Sequence, residues 1–185
     1  MAKLGGEIAA TLADGRELRV RDARARDARP LARLLDAIAA EPQVTLLMMP
    51  GQFGAGVWRR RISDAVADPR CLQLLAELDG ELVGNLALRP DPHPCSGHVA
   101  SVGMSVGEPW RDLGVGGALL EASATWARAH AVRTLTLGVF PENRRAIDFY
   151  ERHGFVREGL RRAQYRRAGR YHDEVLMARF LTTTA

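Results

Sequence analysis

Lysine is almost absent from this chain. Lys3 is the single lysine in 185 residues, and a formal net charge of +4 at pH 7 rests almost wholly on arginine. Cysteine is nearly as scarce. Cys71 and Cys95 are too few for a disulfide framework and fit a reduced compartment. Long apolar runs are missing too. Stretches such as Cys71-Leu72-Gln73-Leu74-Leu75-Ala76 fall far short of the ~20 residues a membrane span needs, so no membrane partner is expected. The N-terminus, Met1 to Glu7, lacks a basic segment followed by an apolar one, so no secretory signal is read and a cytoplasmic location is expected. There is no internal repeat and no low-complexity linker.

What is present is ordinary for a globular protein: 46% hydrophobic and 26% charged residues. The length suits one domain with a real core, taken here as residues 1–185 with 1–15 as a loose N-terminal extension. The arginines are dispersed, with Arg19, Arg21, Arg24, Arg26 and Arg29 early and a group from Arg144 onward, and are read mainly as solvated surface. The basic stretch Arg157 to Arg170 interleaves Tyr165 and Tyr171 but matches no nucleic-acid motif, so no nucleic-acid partner is expected. His93-Pro94-Cys95-Ser96-Gly97-His98 places three ligand types within six residues. No second His/Cys cluster completes a zinc site, and no metal is expected.

The periodicities give a mixed order of strands and helices. Glu17 to Arg21 alternates as a strand. Leu31, Leu34, Leu35 and Ile38 recur at helical spacing, with Pro30 in the first turn. Arg59 to Ala67 reads as a helix. Cys71–Leu78 and Glu81–Leu88 flank Asp79-Gly80, a tight-turn pair that signals a hairpin. His98 to Val106 reads as a strand, Ala118 to His130 as a helix, and Thr134 to Phe140 as a strand. A helix starts at Pro141-Glu142-Asn143 and stops at Gly154. Strands open at Phe155 and at Glu174. The expectation is an α/β (α+β mixed) fold: a mixed twisted sheet of about seven strands with helices on both faces.

Between one strand and the next helix lies Arg111-Asp112-Leu113-Gly114-Val115-Gly116-Gly117. A glycine-rich loop there lets backbone N–H groups and a helix N-terminus hold phosphate. A nucleotide P-loop needs a lysine, and none is near. A dinucleotide fingerprint needs a third glycine where Leu119 stands, and an acidic residue in the following strand, where 134–140 has none. The acyl-CoA pattern Arg/Gln-x-x-Gly-x-Gly/Ala is met at each fixed position by Arg111 to Gly116.

On these residues the sequence resembles the GNAT superfamily of N-acetyltransferases. Met104-Ser105-Val106 is similar to the end of the family's fourth strand. Leu137 to Phe155, with Asn143, Ala146, Tyr150 and Gly154-Phe155, is similar to its second signature. The layout agrees over about residues 17–180, and the specific match lies between 98 and 159.

The resemblance implies acetyl-CoA as co-substrate. It implies that the backbone of Met104, Ser105 and Val106 holds the pantetheine arm, with an N–H near Val106 as oxyanion donor. It implies that the N–H groups of Leu113, Gly114, Val115, Gly116 and Gly117, beside Asp112, hold the pyrophosphate. Arg111 adds charge or braces the loop. Asn143 and Ala146 contact the cofactor arm, and Asn143 is also a good helix N-cap. Tyr150 is the candidate general acid and also lies beside the cofactor. Many relatives carry a glutamate on the fourth strand as base. Here Ala100-Ser101-Val102-Gly103 has none, and Glu81, His98, Tyr165, His172, Asp173 and Glu174 are the available substitutes.

The resemblance places acceptor recognition in Glu41 to Trp58, made apolar by Val44, Leu46, Leu47, Met48, Met49 and Phe53, and in the final hairpin Tyr165 to Glu174. The tail Gly169 to Ala178 is similar to the amino-acid and phosphinothricin-type branch. A small-molecule amine, such as an amino acid, is therefore the expected acceptor, attacking directly in a ternary complex. A protein or antibiotic amine is the alternative within the family, and a non-catalytic acyl-CoA-binding regulatory module the alternative outside it. A homodimer is left open.

Overall fold

The computed structural model describes residues 3–42, 48–167 and 169–181. Eight strands form one sheet: β1 (Ile8–Thr11), β2 (Glu17–Asp22), β3 (Leu72–Leu78), β4 (Glu81–Pro90), β5 (Val99–Val106), β6 (Thr134–Val139), β7 (Val156–Arg167) and β8 (Arg170–Phe180). Their order across the sheet is β1-β2-β3-β4-β5-β6-β8-β7. Every neighbouring pair is antiparallel except β5 and β6, which run parallel. Four helices accompany the sheet: α1 (Ala28–Ala39), α2 (Ala55–Ala67), α3 (Val115–Ala129) and α4 (Arg144–Arg152).

The helices divide between the two faces because strand residues alternate. Leu74 is buried with Leu119, Leu120 and Ile147 beneath α3 and α4. Leu75, one residue on, is buried with Leu31, Leu35 and Ile62 beneath α1 and α2. The expected architecture of a mixed sheet with helices on both faces is observed, with eight strands where about seven were expected.

The extra strand is β1, inside the segment read as a loose extension. Ile8–Thr11 pairs with Glu17–Val20. Four residues with no apolar–polar alternation carry no strand signal on their own; the edge of β2 supplies it. Lys3 further ties this segment down. Its ammonium donates to the backbone carbonyls of Ala65, Asp68 and Cys71, where α2 ends.

A second difference concerns Arg21, which is 5% exposed rather than solvated. It donates to both carboxylate oxygens of Asp27, at 2.8 and 2.9 Å, and pairs with Glu77. It lies on the Leu75 side of the sheet, where the turn entering α1 covers it. Helix boundaries also shift. α2 starts at Ala55 and α3 at Val115, four and three residues ahead of the expected starts at Arg59 and Ala118; glycines in each first turn weaken the sequence signal there, although Val115 itself is buried.

The parallel pairing of β5 with β6 is short. Val99, Ala100 and Ser101 align with Thr134, Leu135 and Thr136, and no pairing follows beyond them. The C-terminal halves of the two strands splay, leaving a gap through the sheet.

Candidate active site

One rim of the gap is β5. Gly107 N–H donates to Val83 O at 3.0 Å, and Ser105 lies opposite Asn85 in the same register. In an antiparallel pair the backbone groups of alternate residues turn toward one neighbour. Ser105 and Gly103 therefore bond to β4, whereas Met104 and Val106 turn their N–H and C=O groups into the gap. Of the three residues expected to offer backbone contacts there, Ser105 does not; its side chain faces the α1/α2 side. The Val106 carbonyl is taken by Arg111 Nε at 2.9 Å.

Arg111 also grips Glu41 with two contacts, at 2.5 and 2.8 Å. Its guanidinium is thus committed to the end of α1 and the end of β5. Of the two roles open in the sequence, the geometry supports bracing. Asp112, with φ of +60°, is held by Arg145 at 2.8 Å. Gly114 has φ of +105°, a left-handed backbone favouring glycine. The Leu113 carbonyl accepts from Ala13 N–H at 3.0 Å, so the turn between β1 and β2 supports the loop.

The first intrahelical bond of α3 is Ala118 N–H to Gly114 O, at 3.0 Å. The N–H groups of Val115, Gly116 and Gly117 precede it and have no acceptor within the helix. Together with the helix dipole they make an anion cradle. The glycines also meet a packing demand. A Cβ on Gly116 would lie 3.1 Å from the Phe149 ring, and one on Gly117 would lie 3.2 Å from His153 Nε2. A side chain at either position would require the Phe149 ring of α4 or the His153 ring at its C-cap to shift by a few tenths of an ångström.

The helix on the far rim is α4. Asn143 caps it, its side-chain oxygen accepting from Ala146 N–H at 3.2 Å, and the same residue lines the gap. Tyr150 packs edge-on against Phe149 and Phe155, each at 5.3 Å between centroids. Burial pushes its phenol up to about 12, so it stays protonated at neutral pH.

Two cavities meet at this gap. The first is lined by Met104, Ser105, Val106, Arg111, Asp112, Gly116, Asn143, Ala146 and Tyr150, together with Ile38, Arg145 and Phe149. Of the cofactor-binding candidates, only Leu113, Gly114, Val115 and Gly117 stay out of its lining. They shape the loop, and Val115 is buried in the core. The second cavity, about 940 Å³, opens on the α1/α2 side. It shares Met104, Ser105, Asn143, Ala146 and Tyr150 with the first and adds Met48, Trp58, Asn85, Arg89, Gly138, Tyr165 and Glu174. Both segments expected to recognise the acceptor therefore reach it. Val44, Leu46 and Leu47 lie outside the described residues.

Among the substitutes for the missing strand carboxylate, the structure separates one group from the rest. Glu81 and His98 are exposed, at the β3–β4 turn and just ahead of β5. Asp173 accepts from Ala163 N–H at 2.7 Å. His172 packs against Phe140. Tyr165 and Glu174 both line the second cavity. Glu174 is 7% exposed and accepts from Tyr165 Oη at 2.8 Å and from Arg161 at 3.1 Å. Burial, then the bond to Glu174, raises the Tyr165 phenol above its usual value and keeps it a donor. Sequence reasoning missed Asn85. It is 7% exposed, and its Oδ1 is buried with no protein partner. No motif marks it, because its role depends on which face of β4 meets the cavity. Among the described residues, no group of His, Cys, Asp and Glu is placed to hold a metal ion, and His93 Nδ1 accepts from Cys95 N–H in a local turn. No helix among them is long and apolar enough to cross a membrane.

The chain is 33% identical over 169 residues to an L-amino acid N-acetyltransferase, AaaT, of Escherichia coli strain K12, covering 88% of this chain and 98% of that one. Among solved structures, an acetyltransferase of the GNAT family from Streptococcus pneumoniae superposes with a TM-score of 0.81 at 24% identity, over 89% of this chain and 99% of that one. A GNAT superfamily phosphinothricin acetyltransferase from Sinorhizobium meliloti, solved in complex with AcCoA, superposes with a TM-score of 0.80 at 19% identity, over 93% and 89%. Residues 44–155 match the acetyltransferase (GNAT) family, spanning the glycine loop, the splayed strands and α4, so this chain belongs to that family.

Proposed function

We propose that this enzyme moves an acetyl group from acetyl-CoA to the primary amine of a small molecule, an L-amino acid in the first instance, by direct attack within a ternary complex. The carrying observation is that two cavities meet at the gap between β5 and β6, one beside the glycine loop and one beneath α1 and α2, with Tyr150 lining both. In this reading residues 1–185 act as one acetyltransferase domain.

The residues present fit acetyl-CoA. The unpaired N–H groups at the start of α3 suit a diphosphate. The backbone of Met104 and the N–H of Val106 suit an extended amide-bearing arm, since they face the gap without a strand partner. Acetyl-CoA, when bound, supplies the acetyl group as a thioester. Val106 N–H then faces the place where carbonyl charge would develop. Tyr150, protonated through burial, holds the proton the departing sulfur needs. Arg111 keeps the loop and the end of β5 in register.

The second cavity suits a small acceptor in size. Its wall carries the Glu174 carboxylate on β8 and the Arg89 guanidinium on β4, charges opposite to those of a free amino acid, with Arg61, Asp64 and Asp68 on the α2 side. The Escherichia coli relative, named for L-amino acids, supports the same choice. No covalent enzyme intermediate is required: Cys95 lines neither cavity, and Cys71 lines only the second, away from the loop that suits the cofactor. A cytoplasmic location and a homodimer complete the proposal; a monomer-mass species alone in analytical ultracentrifugation would remove the dimer.

Thiol release from acetyl-CoA, measured across L-amino acids, peptides, polyamines and aminoglycosides, tests this reading. Turnover with L-amino acids is expected. Reaction only with peptides or polyamines would overturn the acceptor assignment. Binding of acetyl-CoA with no turnover on any amine would favour a non-catalytic module.

A further inference from the structure

We propose that Glu174 is the group that takes the proton from the acceptor amine, in place of the carboxylate that β5 lacks. This rests on the reading of the chain as an amine acetyltransferase. β5 offers Ser101, Gly103 and Ser105 on its cavity side, none able to take a proton from an ammonium at neutral pH. Among the described residues, three carboxylates line the cavity, and of these Glu174, reached from β8 across β6, is the buried one, Asp64 and Asp68 being exposed and half-buried.

Glu174 is built into this position. Its side chain lies over Gly138, the only β6 residue in the cavity wall besides Val139, and occupies the space a Cβ at 138 would take. Tyr165 Oη donates to Oε1 and Arg161 donates to Oε2. Each carboxylate oxygen keeps a further lone pair, so an ammonium arriving from the cavity finds an acceptor already oriented. The charged and titratable groups bonded to Glu174 are Arg161 and Tyr165 from β7. Tyr150 from α4, Arg89 from β4, and Arg61, Asp64, Asp68 and Cys71 on the α2 side share its cavity wall, and His172 flanks it on β8. β6 contributes none.

The proton balance closes with two side chains. Glu174 takes one proton from the ammonium, freeing the nitrogen lone pair. The N–C bond to the acetyl carbon forms as the C–S bond breaks. Tyr150 gives its proton to the departing sulfur and regains one from the acylated nitrogen, directly or through water. Glu174 returns its proton to solvent.

The test uses the full chain, acetyl-CoA and the L-amino acid that wild type acetylates best, beside the amide of that amino acid, a weaker base. For Glu174→Gln, kcat/KM at neutral pH should fall about 100-fold, the usual scale for a general base. Acetyl-CoA affinity and melting temperature should hold. The deficit should shrink at high pH and with the amide, since more free amine is then supplied by solution. A rise in KM alone, with an unchanged pH profile, would overturn the proposal and leave Glu174 as an anchor. Loss of acetyl-CoA affinity together with early melting would mark it as structural. A second variant, Arg161→Ala, frees Oε2 from the guanidinium that holds it, and should lower kcat/KM more for the L-amino acid than for its amide while sparing acetyl-CoA affinity. An unchanged ratio between the two substrates would overturn the proposal even if Glu174→Gln fails to fold. Wild-type chain inert toward every amine would remove the acetyltransferase reading and this proposal together, whereas wild-type turnover with unaffected variants removes this proposal alone.

Discussion

The carboxylate of Glu174 fills the space beside Gly138 that any larger residue would claim. A strand residue on β6 thus sets where a side chain on β8 can stand. Gly138→Ala should push Glu174 off its bonds to Tyr165 and Arg161. The expected outcome is a fall of tenfold or more in kcat/KM for the amine, with a stability loss of about 1–3 kcal/mol from overpacking. Acetyl-CoA affinity, measured by calorimetry, should stay near wild type. Full activity in this variant would show that the placement of Glu174 is immaterial.

Tyr150 has a buried phenol raised to about 12. Tyr150→Phe should lower kcat by about 100-fold while sparing acetyl-CoA binding. The sign of the pH effect follows from the raised value. The protonated form persists below about 12, so no basic limb from this residue should appear in the usual assay range. A wild-type kcat that collapses between pH 8 and about 10, the ordinary phenol range, would contradict the assignment.

Asn85 separates function from stability. Its Oδ1 is buried without a protein partner, which costs about 1–3 kcal/mol in a folded chain. Asn85→Leu should therefore fold as stably as wild type or more so. It should raise the amine KM, because the cavity loses a polar contact opposite Ser105. Thermal melting and amine KM, measured on one preparation, check both halves.

Glu77 links pH to stability. The hydrogen bond from Arg21 holds its carboxyl down to about 2, against the burial that would raise it. A carboxyl with a depressed folded value stabilises above its unfolded value, near 4.5, and loses that stabilisation as pH falls toward about 2. Glu77→Gln should cost about 2 kcal/mol at neutral pH. Its denaturation midpoint should converge with wild type as pH is lowered through that window. A constant difference at every pH would show that the pair contributes nothing through charge.

Much of the donor side was legible before folding, because its chemistry is local. A helix N-terminus with glycines at 114, 116 and 117 carries its function within seven residues, and Asn143 to Phe155 carries a helix with its cap and stop. The acceptor side was not legible in the same way. Glu174, Tyr165, Asn85 and Gly138 lie on four strands, and only the splay of β5 from β6 brings them round one cavity. Arg111 and Arg21 show the same limit. Their partners, Glu41 and Glu77, are distant in sequence, so no spacing rule ties them. β1 depends wholly on its neighbour's edge.

The central claim is that donor and acceptor occupy the two cavities at once and react across the gap at Tyr150. Initial rates measured while acetyl-CoA and an L-amino acid are varied together test this most directly. Intersecting double-reciprocal lines, with the N-acetylated amino acid identified by mass spectrometry, are the predicted result. Parallel lines with an acetylated enzyme intermediate would contradict it.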